Sequence, residues 1–252
     1  MGEIICDKYR NKRKNKLSKI GVIGGSGVLE IELFAGLEKR EISTEYGRVT
    51  VEEGGAGLVF IQRHGTPPLP PHKLNHRANI AALKECGVKH VVAVNSTGSL
   101  KSSLPPGSLL LPDDYFNPWA IKTFFDDRLE FVTPGLSADV RAAVITAAAG
   151  LKVDLLTTGT YIQTTGPRFE TKAEVKVLSG WGDIVGMTMA NEATLAREIQ
   201  LEYASICLVD NYANGVCEQT VDIVEVEKAQ KKNSRILAEL LPAVIAQLKK
   251  MA

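Results

Sequence analysis

The amino-acid sequence predicts a single α/β domain in which a mixed central β-sheet is flanked by helices. Three observations lead there. Apolar runs of strand length alternate with longer helical patterns, the glycine-rich and polar signals cluster where those runs end, and no low-complexity linker or internal repeat divides the chain. With 252 residues, 44% of them hydrophobic and 23% charged, there is enough apolar material for one sizeable core.

In chain order the strand-like runs are "KIGVIGG", "GLVFIQRHG", "HVVAVNSTG", "GSLLLP", "TGTYIQ" and "YASICLVDN". Between and after them, helical patterns fall at about 74 to 86, 137 to 151, 171 to 180, 188 to 202 and 222 to 251. The Pro-rich "TPPLPPHK" is too short to separate domains. Basic residues concentrate in "KYRNKRKNKLSK", so residues 1–18 read as a solvated basic extension, with disorder one reading of it, and residues 19–252 as the domain. No aromatic interleaving or basic face follows that stretch, and the net charge is only +1.

No run of about 18 apolar residues exists, and the N-terminus lacks a secretory pattern, so a cytoplasmic location with no membrane or nucleic-acid partner is expected. Cys6, Cys86, Cys207 and Cys217 have neither CxxC spacing nor disulfide-scaffold density, and read as reduced thiols.

In open α/β sheets ligands bind beyond the carboxyl ends of strands, so Gly24 to Gly27, Arg63-His64, Asn95 to Ser99 and Asp210 to Asn214 are expected to converge. "IGGSG" has neither GxGxxG spacing nor a P-loop lysine; its glycines admit an anion to the backbone amides and Ser26 adds a hydroxyl, although a ligand-free tight turn explains it equally. Arg63 and His64 supply a permanent cation and a ring N–H, which suit a phosphate or, alternatively, a buried carboxylate. "VNSTGS" is a third hydroxyl-rich strand exit.

His72 and His76 stand four apart, but no HExxH glutamate or third ligand accompanies them. No metal is expected there, and the two histidines read as surface or subunit-contact residues. Phe169 offers a ring face for a heterocycle, and Glu170 an acceptor for a ring N–H. Met187 suits packing against a sugar, and Thr188 can point toward an anion at a helix N-terminus. Phe169 and Met187 as isolated residues fit a core role too; Met189 reads as packing. Asn211 can donate and accept at a base without changing charge.

From about residue 19 onward the chain resembles the trimeric purine nucleoside phosphorylase family that includes methylthioadenosine phosphorylase, and within it most resembles the enzymes acting on S-methyl-5′-thioinosine. The stretches that carry the resemblance are "GVIGGSG", "RHG", "NHRANIAALKECGVKHVVAVNSTGSL", "LPPGSLLLPDDY", "TTGPRFETKAE" and "WGDIVGMTMANEATLAREIQLEYASI". The resemblance implies the single-domain nucleoside phosphorylase fold and a pentosyl transfer in purine salvage: phosphate attacks C1′ of a nucleoside, releasing the base and a ribose 1-phosphate. It implies phosphate as co-substrate and no cofactor.

Carried over by residue, the resemblance puts Ser26, Arg63, His64, Asn95, Ser96 (through its backbone N–H) and Thr188 around phosphate, Met187 against ribose, and Phe169, Glu170 and Asn211 around the base. Asn211 is the catalytic candidate, stabilising charge on the departing purine. Members acting on 6-aminopurines carry Asp-x-Asp where this chain has Asn211 and Ala213, which argues for a 6-oxopurine. A one-residue slip would instead bring Asp210 to the base. No histidine follows His90 to meet a 5′-hydroxyl, and Val221, Ile223 and Val224 suit a methylthio group.

The expected reaction is therefore cleavage of S-methyl-5′-thioinosine to hypoxanthine and 5-methylthioribose 1-phosphate. Methylthioadenosine, inosine and guanosine are alternative substrates; a water-using nucleosidase and a non-catalytic nucleoside-binding protein are alternatives of other classes. A homotrimer is implied, with a neighbouring subunit completing each site near the methylthio or ribose end through residues around Phe131 to Pro134.

Overall fold

The computed structural model describes residues 19–25, 28, 31–119, 121–217 and 223–251. Ser26, Val221 and the side chain of Ile223 lie outside the described residues, as do the basic extension and Cys6. Strand β1 (Lys19–Gly24) is followed by a hairpin, β2 (Glu38–Thr44) and β3 (Gly47–Gly54), then by β4 (Leu58–Gln62). Helix α1 (His76–Glu85) leads into the long β5 (Val88–Ser99), the two-residue β6 (Leu109–Leu110) and β7 (Asp114–Phe116). The second half runs α2 (Ala138–Leu151), β8 (Thr160–Gln163), α3 (Lys172–Leu178), β9 (Ile184–Gly186), α4 (Met189–Glu198), β10 (Glu202–Tyr212) and α5 (Ile223–Met251).

The helices begin where side chains can satisfy orphan N–H groups. Asn75 accepts from the Ala78 amide at 3.0 Å and Ser137 from that of Val140 at 3.2 Å. Thr171 and Glu174 form a reciprocal capping box at the start of α3. Arg168 holds Glu174 through a paired contact, and that contact, with the Thr171 amide, lowers the Glu174 pKa to about 2.

Among the described residues the strands form one mixed sheet in the order β2-β3-β4-β1-β5-β9-β8-β7, and β10 pairs with both β5 and β6. The four that matter for the site, β4, β1, β5 and β10, are parallel neighbours, so their carboxyl ends emerge together. Alternate residues face two cores. Val22, Phe60, Val92 and Ile206 pack with α2 and α5, whereas Ile23, Ile61, Ala93 and Cys207 pack with α1 and α4. Being covered on both faces explains why these strands read as continuous apolar runs.

Two features depart from the sequence expectation. The β2-β3 hairpin lacked a signal because "EKREIST" is largely exposed and charged, and its partner β3 buries only alternate residues. "GSLLLP" yields only the short β6, since Leu111 leaves the ladder to donate to the Leu156 carbonyl. Cys86, Cys207 and Cys217 are free thiols.

Candidate active site

A cavity of about 230 Å³ opens at the carboxyl ends of the parallel strands. Arg63, the first residue after β4, lines it although it is only 4% exposed. Its Nε and Nη2 donate to the two carboxylate oxygens of Glu192 at 2.5 and 3.1 Å, Nη2 also donates to Asn95 Oδ1 at 3.1 Å, and Nη1 donates to the Val94 carbonyl at 2.8 Å. A guanidinium has five N–H groups, so one remains, on Nη1. Burial works against the Arg63 charge, but Glu192 outweighs it and raises the pKa above its ordinary value.

His64 directs Nδ1 to the Leu69 carbonyl at 2.7 Å, which fixes the proton on that nitrogen. Nε2 is the ring nitrogen without a protein partner among the described residues. Gly25 sets where these groups meet: a Cβ built there would stand 3.7 Å from Arg63 Nη1 and 3.8 Å from His64 Nε2. The missing side chain leaves open space between Arg63 Nη1 and His64 Nε2.

Thr188, the residue before α4, completes this side. Asn95 Oδ1 accepts from Arg63 and, at 2.8 Å, from Ser205, so its Nδ2 donates to Thr188 Oγ1 at 2.7 Å. The Thr188 hydroxyl is therefore an acceptor toward Asn95 and has its own proton to give to the cavity. The start of α4 differs from the expectation of open amides. Tyr161 Oη accepts from the Thr188 and Met189 amides at 3.1 and 3.3 Å, and Gln163 Oε1 from that of Ala190 at 2.9 Å. The hydroxyl of Thr188, not the helix terminus, is what the protein presents to the cavity here. Asn95 likewise departs from direct contact: it is 2% exposed, outside the cavity lining, and acts through Thr188 and Arg63.

The other side of the cavity carries Phe169, Glu170, Met187 and Asn211. Phe169 is 58% exposed at the rim, whereas Glu170 is buried and accepts from Thr164 Oγ1 at 2.7 Å. Met187 sits under Gly166, where an added Cβ would come within 2.5 Å of its sulfur. Register between β10 and β5 slips between Val209 and Asn211, leaving Asp210 as the bulged residue. Asp210 is buried, accepts from Asn233 Nδ2 at 3.1 Å, and receives the Ser96 hydroxyl. Asn211 pairs with Gly98, whose lack of a side chain leaves room for the amide: an added Cβ would lie 3.3 Å from Nδ2.

His76 corrects the reading of a surface or subunit-contact residue. It is 3% exposed, with Nδ1 4.0 Å from Glu192, and burial is the main cause that pushes its pKa down to about 4. Exposed His72 is the surface member of the pair. Sequence reasoning also missed Glu192 and Thr164 as members or supports of the site, whereas Asp210 and Asn214 lie in a strand exit it singled out. Glu192 had one legible signal: a lone carboxylate among small residues in "MANEA" must find a partner if that face is buried. Among the described residues no group of three His, Cys, Asp or Glu side chains is placed to hold a metal ion.

A tuned anion subsite beside an aromatic and amide-lined pocket, on a parallel-strand edge, defines an enzyme of the glycosyl-phosphorylase class. The phosphorylase superfamily model matches residues 19–246, and the chain belongs to that family. A probable 6-oxopurine nucleoside phosphorylase of Archaeoglobus fulgidus is 40% identical over 92% of this chain and 96% of its own. A probable S-methyl-5′-thioinosine phosphorylase of Methanothermobacter thermautotrophicus is 39% identical over 91% and 84%. In structure the chain is similar to a methylthioadenosine phosphorylase of Schistosoma mansoni in complex with adenine, with TM-score 0.83, 29% identity and coverage of 92% and 91%. The family resemblance read from the sequence is borne out, and with it the fold.

Proposed function

We propose that the protein catalyses phosphorolysis of a 6-oxopurine nucleoside, with S-methyl-5′-thioinosine as the preferred substrate. Hypoxanthine and 5-methylthioribose 1-phosphate are the products. The observation that carries this is the pairing of Glu170 with Asn211 on one cavity wall, while the adjacent Asp210 is engaged by Ser96 and Asn233. A carboxylate facing N1–H and an amide facing O6 and N7 match a 6-oxopurine. The 6-amino group and unprotonated N1 of adenine would leave Glu170 opposite a lone pair.

In the reaction, Arg63 Nη1, His64 and Thr188 hold phosphate near C1′, with Ser26 and the Ser96 backbone adding to the cradle. Met187 packs against the ribose. As the glycosidic bond lengthens, negative charge grows on the purine, and Asn211 donates to N7 to stabilise it. Phosphate is the co-substrate; neither a metal nor an organic cofactor has a step. The apolar 5′ end is assigned to Val221 and Ile223 from the family resemblance alone.

The active form is a homotrimer in the cytoplasm, serving purine and methylthionucleoside salvage. Leu129 and Phe131 are 91% and 85% exposed, an expensive arrangement for a lone protomer, and Phe131 and Pro134 border an outer cleft of about 490 Å³. Covering this segment with a neighbour supports the expectation that Phe131 to Pro134 reach an adjoining site. A second reading, methylthioadenosine phosphorolysis, draws on the Schistosoma mansoni neighbour. Base release from methylthioinosine, methylthioadenosine, inosine, guanosine and adenosine, each with and without phosphate, tests the proposal; turnover without phosphate would make the enzyme a nucleosidase.

A further inference from the structure

Glu170 has two carboxylate oxygens, and the fold has already used one. Thr164 Oγ1 donates to Oε1 at 2.7 Å, a far better acceptor than the Gly186 carbonyl 3.4 Å away, and a hydroxyl has one proton to give. Thr164 is fixed for this by its own amide, which donates to the Gly186 carbonyl at 2.8 Å. Glu170 is fixed from the opposite side, where Asn214 Nδ2 donates to its backbone carbonyl at 2.9 Å. The side chain is thus clamped between the exits of β8 and β10, with Oε2 as the oxygen that carries no hydrogen bond from Thr164.

Purines with a 6-oxo group differ at this edge. Hypoxanthine presents one donor, N1–H, whereas guanine presents two, N1–H and the 2-amino group, and a carboxylate accepts both side by side only if each oxygen turns a lone pair to the base in its plane. We propose that Thr164 is a positioning residue that reserves Oε1 and so biases the pocket toward hypoxanthine nucleosides over guanine nucleosides. The inference rests on the 6-oxopurine reading. With hypoxanthine, Oε1 keeps its Thr164 hydrogen bond and Oε2 takes N1–H; with guanine, the 2-amino group must share Oε1 with Thr164, whose bond already fixes that oxygen's orientation and weakens it as a second acceptor.

The test is kcat/KM for inosine and guanosine with phosphate in the full-length enzyme and in Thr164→Val and Thr164→Ser. The ratio between two substrates measured on one preparation does not depend on how much of it is folded. The wild type is expected to favour inosine. Valine removes the proton, leaving Oε1 unpaired with inosine but satisfied by the 2-amino group of guanosine, so the guanosine-to-inosine ratio rises about tenfold, the size of one charge-assisted hydrogen bond. Serine restores the wild-type ratio, which a purely structural role for the threonine methyl would not do.

An unmoved ratio in Thr164→Val, a serine variant that behaves like valine, or a wild type that prefers guanosine overturns the proposal. If valine abolishes turnover of both, the wild-type preference alone decides. Failure of the wild type to cleave any 6-oxopurine nucleoside would instead overturn the reading of function.

Discussion

Glu192 grips Arg63 from behind, its two oxygens 2.5 and 3.1 Å from Nε and Nη2; with Asn95 and Val94 also accepting, the guanidinium proton left without an acceptor among the described residues is on Nη1. Tyr203 donates to the same carboxylate at 2.8 Å, and both partners of the ion pair are almost wholly buried. The pair sets the aim of the anion subsite. Its attraction and hydrogen bonds offset the desolvation of both charges only while both are present.

Replacing Glu192 with Gln keeps the shape and removes the charge. A buried, uncompensated guanidinium costs roughly 3 kcal/mol. In a chain of this size that lowers Tm by about 6–12 °C. Thermal melting checks this, and steady-state kinetics should show the KM for phosphate raised at least tenfold, because Arg63 is no longer held on aim. A variant with native Tm and native phosphate KM would show the pair to be incidental.

His76 makes stability depend on pH. Its folded pKa is about 4, against 6.5 ordinarily, so between those values the unfolded chain binds the proton and the folded chain does not. Stability therefore rises with pH across that window and falls as pH drops from 6.5 toward 4, by roughly 3 kcal/mol in total. Tm measured at pH 7 and pH 5 should reveal the loss. Substituting His76 with Gln should flatten this part of the profile.

Gly25 tests the anion position without touching a charged group. Its Cβ in Gly25→Ala would lie 3.7 and 3.8 Å from Arg63 Nη1 and His64 Nε2, in the space a phosphate oxygen requires. Phosphate KM should rise at least tenfold, while purine binding measured by calorimetry changes less than threefold, on the order of half a kcal/mol.

Asn211→Asp should move preference toward aminopurines. A carboxylate accepts from a 6-amino group and a protonated N7 but repels O6, so the ratio of kcat/KM for methylthioadenosine over methylthioinosine should increase at least tenfold, about 1.4 kcal/mol or more. An unchanged ratio removes Asn211 as the discriminator.

The strand exits were legible because parallel strands covered on both faces are continuous apolar runs, and a ligand site must lie where they end. That logic located Arg63, His64 and Asn211 before any geometry was known. It did not separate groups that touch the cavity from those that hold them: Asn95 looked like a phosphate contact, yet its amide is spent on Arg63, Ser205 and Thr188. Glu192 and His76 were hidden for a related reason. Polar residues on a helix read as solvent-facing until the packing partner is known; here Glu192 meets Arg63, far away in sequence, and His76 lies 4.0 Å from Glu192. The bulge at Asp210 was equally invisible, since register is a property of two strands and the sequence presents them separately.

The proposed reaction is the phosphate-dependent cleavage of a 6-oxopurine methylthionucleoside. The most direct measurement is kcat/KM for S-methyl-5′-thioinosine and methylthioadenosine, side by side, in the presence and absence of phosphate. The account predicts strict phosphate dependence and at least tenfold preference for methylthioinosine, about 1.4 kcal/mol in transition-state binding. Faster cleavage of methylthioadenosine, or release of hypoxanthine without phosphate, would contradict it.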